Sequence, residues 1–163
     1  MLLYIAFGIL PSLIWLFYYL GKDMHPEPKK MILKVFFWGV LITIPTFIVQ
    51  LFLSMVLGWL QQFEAVASFT LLVDLLKWFV VIALVEELAK YFMVKFVALG
   101  SKEIDEPLDI MLYMVVAALG FASLENVLYI FSPIDGLSFD AIVQKTVAIS
   151  FIRFIGATFL HTL

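Results

Sequence analysis

The run Trp78-Phe-Val-Val-Ile-Ala-Leu-Val-Glu-Glu-Leu-Ala-Lys-Tyr-Phe-Met-Val94 is hydrophobic enough to cross a bilayer, yet it carries two adjacent carboxylates, Glu86 and Glu87. An acid at the centre of a membrane helix costs about 2.5–3.5 kcal/mol on insertion scales, so such groups face a polar cavity and serve chemistry or transport. The stretch therefore predicts a membrane helix and, on it, a functional site.

The whole chain agrees with that reading. At 64% hydrophobic and 14% charged residues it has too little polar surface to cover a soluble globule of 163 residues. Matching uncharged runs to the roughly 20 residues that span the hydrocarbon core predicts an all-α polytopic transmembrane bundle, one integral membrane domain with about five spans. The spans fall near 2–20, 35–60, 78–97, 108–131 and 147–163. The first two are uncharged, which suggests that they support the bundle while the later three build the site. The N-terminal run lacks a positive leader region and reads as a retained first span, with no cleavable signal. Absence of cysteine removes disulfides and thiolate nucleophiles, and two histidines leave little for an all-imidazole metal site. A formal charge of −3 without basic-aromatic interleaving excludes a nucleic-acid partner.

Lys22, Lys29, Lys30 and Lys34 cluster between the first two spans, and Lys95 and Lys102 follow the third; alternate loops carry mostly Glu64, Asp74, Asp135 and Asp140. By the positive-inside rule the N-terminus is extracytoplasmic and the first loop cytoplasmic. The amphipathic stretch 61–77 is expected to lie along the outer interface before span three.

On a helix Lys90 shares a face with both Glu86 and Glu87. The bland reading is an internal ion pair, but two acids sharing one base leave net negative charge, as a general acid or base requires. Span four places Glu125 and Asn126 behind the small residues Gly120, Ala122 and Ser123, which admit a close helix neighbour. That pair alone would suit interhelical glue; beside the acids of span three it gains chemical interest. Tyr129, one turn on, is placed to hydrogen-bond Glu125 or a substrate carbonyl, or to anchor at the interface. The last segment adds Arg153 and His161, whose imidazole is either a satisfied core group or, near three carboxylates, a metal ligand or water activator. At about 1.5 Å per residue, Glu86 lies roughly 12 Å below Trp78, Glu125 roughly 9 Å below Phe131, and His161 roughly 15 Å below a span entering at Phe151. The three are expected to converge in the outer half of the membrane, with the last helix stopping short of the inner face and so truncated.

These residues resemble the PrsW family of intramembrane proteases, within the CAAX-prenyl endopeptidase and Abi superfamily. The matching features are Glu86-Glu87-Leu-Ala-Lys90, then Asp109, then Leu119-Gly-Phe-Ala-Ser-Leu-Glu125-Asn126-Val-Leu-Tyr129, then Arg153 with His161, preceded by the loop Lys22-Asp-Met-His-Pro-Glu-Pro28. The resemblance implies a bacterial cytoplasmic-membrane endopeptidase that cleaves a membrane-anchored, single-pass protein such as an anti-sigma factor, in stress signalling. It implies catalytic Glu86, Glu87, Glu125 and His161, supported by Lys90, Asp109, Asn126, Tyr129 and Arg153. A divalent metal such as zinc on Glu87, Glu125 and His161 is one version; a metal-free glutamate mechanism is the other. The family's later His-Gly helix is missing after Leu163, and if it is required the chain is expected to be inactive. Two other classes stay open: a proton- or cation-coupled transporter, disfavoured by the lack of inverted repeats, and a non-catalytic immunity or adaptor protein of the same fold.

Overall fold

The computed structural model describes residues 2–23, 25–102, 104–131 and 139–162, and among these every regular element is helical. Asp135 and Leu163 lie outside the described residues. In chain order the elements are α1 (Leu2–Leu20), α2 (Lys29–Leu60), α3 (Glu64–Ala67), α4 (Thr70–Leu75), a π-helical segment (Leu76–Leu84), α5 (Val85–Val97), α6 (Pro107–Ile130), α7 (Phe139–Ile155) and α8 (Ala157–Leu160). Among the described residues, three stretches are long and apolar enough to cross a membrane: Lys29–Leu60, Pro107–Ile130 and Asp140–Leu160. The expected helical bundle is thus what the chain forms.

Two helix starts lie earlier than the hydropathy pattern suggests. α2 begins at Lys29 rather than near Val35, and its 32 residues give about 48 Å of helix against a hydrocarbon core of about 30 Å. The extra length at its start carries Lys29, Lys30 and Lys34, and the Lys34 ammonium donates to the Val97 carbonyl at the end of α5 at 3.4 Å. α7 begins at Phe139, well before 147, because Asp140 in its first turn faces the positive end of the helix dipole. α7 then breaks at Gly156 before the short α8.

α6 is the central helix: 56% of its span is buried in the bundle, against 11% for α2. Tyr113, Val116, Ala117, Leu119, Phe121 and Ala122 form its packed face. α2 crosses it at backbone contact, since a Cβ added to Gly39 would strike the Ala117 carbonyl and one added to Gly120 the Phe36 carbonyl. Phe37, Phe52, Trp59, Phe79 and Phe96 point out of the bundle, toward lipid.

α1 ties down the end of the chain. Pro11 has no N–H, so the Phe7 carbonyl one turn earlier loses its helical donor; the Ser150 hydroxyl of α7 supplies one instead. The Trp15 indole donates to the Phe154 carbonyl at 3.0 Å, and the Tyr19 hydroxyl meets Thr162 Oγ1 at 2.9 Å. Those bonds fix where α8 and His161 lie.

Candidate active site

α5 presents Glu86 inward and Glu87 outward, as adjacent helical positions about 100° apart must. Glu86 Oε1 accepts from Gln50 Nε2 of α2 at 2.9 Å. Glu87 is 62% exposed at its side chain and pairs with Lys90, whose own side chain is almost fully buried. Lys90 thus turns inward where Glu87 does not.

Lys90 Nζ also lies 3.3 Å from His161 Nδ1, and His161 Nε2 lies 2.9 Å from Glu125 Oε2. An ammonium only donates, so Nδ1 is the acceptor; the proton of the neutral ring is on Nε2, which donates to the Glu125 carboxylate. Arg153 completes the chain of bonds, with its Nη2 2.7 Å from Glu125 Oε2 and its Nε on Asn126 Oδ1. Its guanidinium also stacks 4.1 Å from the Tyr129 ring centroid. Asn126 donates to Thr158 Oγ1 of α8 at 3.0 Å, so the α6 pair that spacing alone would assign to helix glue both joins helices and orients Arg153. Phe121 backs the group, with its ring 5.8 Å from the imidazole of His161 and 5.6 Å from Lys90 Nζ.

Glu86 and Glu125 line one cavity of about 390 Å³ whose other walls are mainly apolar, among them Phe47, Leu51, Trp78, Ile82 and Leu128. Tyr129 lines it too; its hydroxyl makes no hydrogen bond to Glu125, because the ring lies under Arg153. The structure therefore brings together Glu86, Lys90, Glu125, Asn126, Tyr129, Arg153 and His161.

It separates two expected members. Glu87 reaches the group only through Lys90. Asp109 stands at the start of α6, at the other end of the bundle, where its carboxylate accepts the Asp105 and Glu106 amides at 3.0 and 2.8 Å. That is helix capping, which satisfies backbone donors that no helical carbonyl reaches. The expected division between supporting and site-building spans also needs correction: α2 contributes Gln50 and the cavity residues Thr43, Phe47, Leu51 and Ser54. An uncharged amide among apolar residues gave no charge signal by which to find it.

A zinc ion on Glu87, Glu125 and His161 does not fit this arrangement. Zinc needs a deprotonated nitrogen lone pair and converging ligands, whereas both ring nitrogens of His161 are engaged and Glu87 faces outward. Among the described residues, the acids whose ligand atoms lie within 4.8 Å of one another are Glu27, Asp105 and Asp109, away from the cavity.

Comparison with known proteins gives a consistent family. A family model described as PrsW family intramembrane metalloprotease matches residues 27–163. Protease PrsW of Geobacillus kaustophilus is 34% identical over 127 residues, covering 77% of this chain and 51% of that protein. The Oceanobacillus iheyensis and Bacillus subtilis proteins of the same name are 34% and 33% identical, covering 80% and 77% of this chain and 55% and 53% of their own lengths. The chain thus spans about half the length of these curated relatives. No solved structure matches it. With a family model covering most of the sequence and relatives aligned across its acidic helices, the chain belongs to the PrsW family of intramembrane metalloproteases.

Proposed function

We propose that this chain carries the catalytic core of an endopeptidase that hydrolyses a peptide bond of a single-pass membrane protein, with Glu86 as general base. The observation that carries the reading is one cavity lined by both Glu86 and Glu125, with Glu125 held from behind by His161 and Arg153 and His161 in turn by Lys90. Glu86 takes a proton from water as the hydroxide oxygen bonds to the scissile carbonyl carbon. The tetrahedral oxyanion collapses, the C–N bond breaks, and the proton held by Glu86 passes to the leaving amine. The Tyr129 hydroxyl, which lines the cavity, is the donor offered to the oxyanion. Glu125, neutralised by Arg153 and hydrogen-bonded by His161, fixes that side of the cavity.

The lysines between α1 and α2 and at the end of α5 support a topology with the Glu86 end of the bundle in the outer half of a bacterial cytoplasmic membrane and the N-terminus outside. An anti-sigma-factor-like substrate cut on that side, and placement of the family within the CAAX-prenyl endopeptidase and Abi superfamily, belong to the same proposal. Cleavage of a single-pass substrate by the full chain in proteoliposomes tests it. Glu86→Gln is expected to lower kcat by about 10²–10⁴-fold; unchanged cleavage overturns the assignment. Absence of cleavage by folded wild type favours an adaptor of the same fold, and loss of cleavage with a chelator returns a metal to the mechanism.

A further inference from the structure

Gln50 sits within a predominantly apolar membrane-spanning helix, where a free carboxamide is costly. Its Nε2 lies 2.9 Å from Glu86 Oε1 and 3.4 Å from the Ile82 carbonyl. Both partners are acceptors, so the amide must present nitrogen to them; the flipped rotamer would set oxygen against a carboxylate and a carbonyl. Ile82 is one turn before Glu86 and belongs to the π-helical segment that leads into α5. Wide π turns recur at functional sites because they re-aim the side chains that follow. A single side chain from α2 therefore grips both the carboxylate and the turn that carries it.

Three other donors near Glu86 are committed elsewhere. Lys90 serves Glu87 and His161, Arg153 serves Glu125 and Asn126, and the Thr43 hydroxyl bonds the Gly39 carbonyl at 3.1 Å. We propose that Gln50 is the positioning residue of the catalytic base: it fixes Glu86 Oε1 and leaves the second carboxylate oxygen to face water in the cavity. This rests on the reading of Glu86 as the base, and it makes α2 part of the catalytic apparatus rather than a lipid-facing prop.

The test uses Gln50→Leu and the similarly long Gln50→Met in the full chain, in proteoliposomes. Each is read by steady-state cleavage and by difference infrared spectroscopy of the Glu86 carboxylate band, assigned by subtracting Glu86→Gln. A hydrogen bond to a charged group that acts in the reaction predicts a fall in kcat of about tenfold to a hundredfold, with KM within about twofold, and a displaced Glu86 band in both variants. If Gln50 serves only as packing between helices, Gln50→Leu keeps kcat and the band stays in place; that result overturns the proposal. Should Gln50→Leu fail to fold, Gln50→Met keeps the side-chain length and lacks the donor. If Glu86→Gln cleaves like wild type, the base assignment falls, yet the infrared band still decides whether Gln50 holds Glu86.

Discussion

Glu125 is held from two elements, by Arg153 of α7 and by His161 beyond α8, and both bonds end on the same oxygen. Removing the guanidinium leaves a mostly buried carboxylate with one neutral donor, a change that costs about 2–4 kcal/mol where a buried pair is broken. Arg153→Gln is expected to lower the thermal midpoint in detergent and to suppress cleavage together, whereas Glu125→Gln, which leaves Arg153 its bond to Asn126 and its stacking on Tyr129, is expected to lose less stability. A thermal midpoint unchanged by Arg153→Gln would sink that account. A second contrast separates the adjacent acids: Glu87→Gln is expected to retain cleavage within about fivefold, since Glu87 faces out of the cavity and an amide oxygen still accepts from Lys90, while Glu86→Gln is inactive. Side-by-side kinetics checks this. Glu86, Glu125, Arg153 and His161 were legible in the sequence because charge in an apolar run demands a reason. Glu87 and Asp109 stand apart from that group for physical causes. Neighbouring helical positions diverge by about 100°, and an acid at a helix start meets backbone amides before it meets a site.

At the scale of elements, the site depends on how closely α2 approaches α6. Gly39 and Gly120 face each other's backbones at Ala117 and Phe36, so neither has room for a side chain. Gly120→Val is expected to force the helices apart at a cost of about 1–3 kcal/mol. Gln50 and Glu125 would then move relative to one another, as they sit on these two helices. The expected outcome is a lower thermal midpoint with loss of cleavage, while Gly58→Val, where a Cβ meets nothing within 4 Å, leaves both unchanged; equal effects of the two substitutions would contradict this packing. The small residues around Gly120 announced the crossing in the sequence. The π-helical segment did not announce itself, because Leu76–Leu84 reads as an unbroken apolar run whether its turns are α or π. Nor did the break at Gly156 or the bond from Ser150 to the carbonyl freed by Pro11, which depend on which helix lies alongside.

Across the whole molecule, the two ends carry different chemistry. At the end opposite the cavity, buried Glu27 accepts from the Tyr113 hydroxyl and lies beside Asp105 and Asp109. Burial raises the Glu27 carboxyl above its ordinary range and the two aspartates add to this, while the Tyr113 bond opposes it. A raised folded value means that protonated Glu27 favours the fold. Its contribution is full below the ordinary carboxylate range and is lost as pH rises through the raised value. The thermal midpoint of wild type relative to Glu27→Gln is therefore expected to fall from acidic to neutral pH, and a flat difference would show that the loop is not protonation-linked. The same end carries the lysine-rich α1–α2 loop and Lys102, which sets the orientation prediction. The chain contains no cysteine, so single replacements can be labelled without background. Gln62→Cys, in the α2–α3 turn, is expected to react with a membrane-impermeant maleimide added outside intact cells, and Lys102→Cys only after the membrane is opened. The reverse pattern would put Glu86 and Glu125 in the inner half. A bundle of this charge distribution would then have inserted against the lysine bias, and a substrate cut on the outer side could not reach its base.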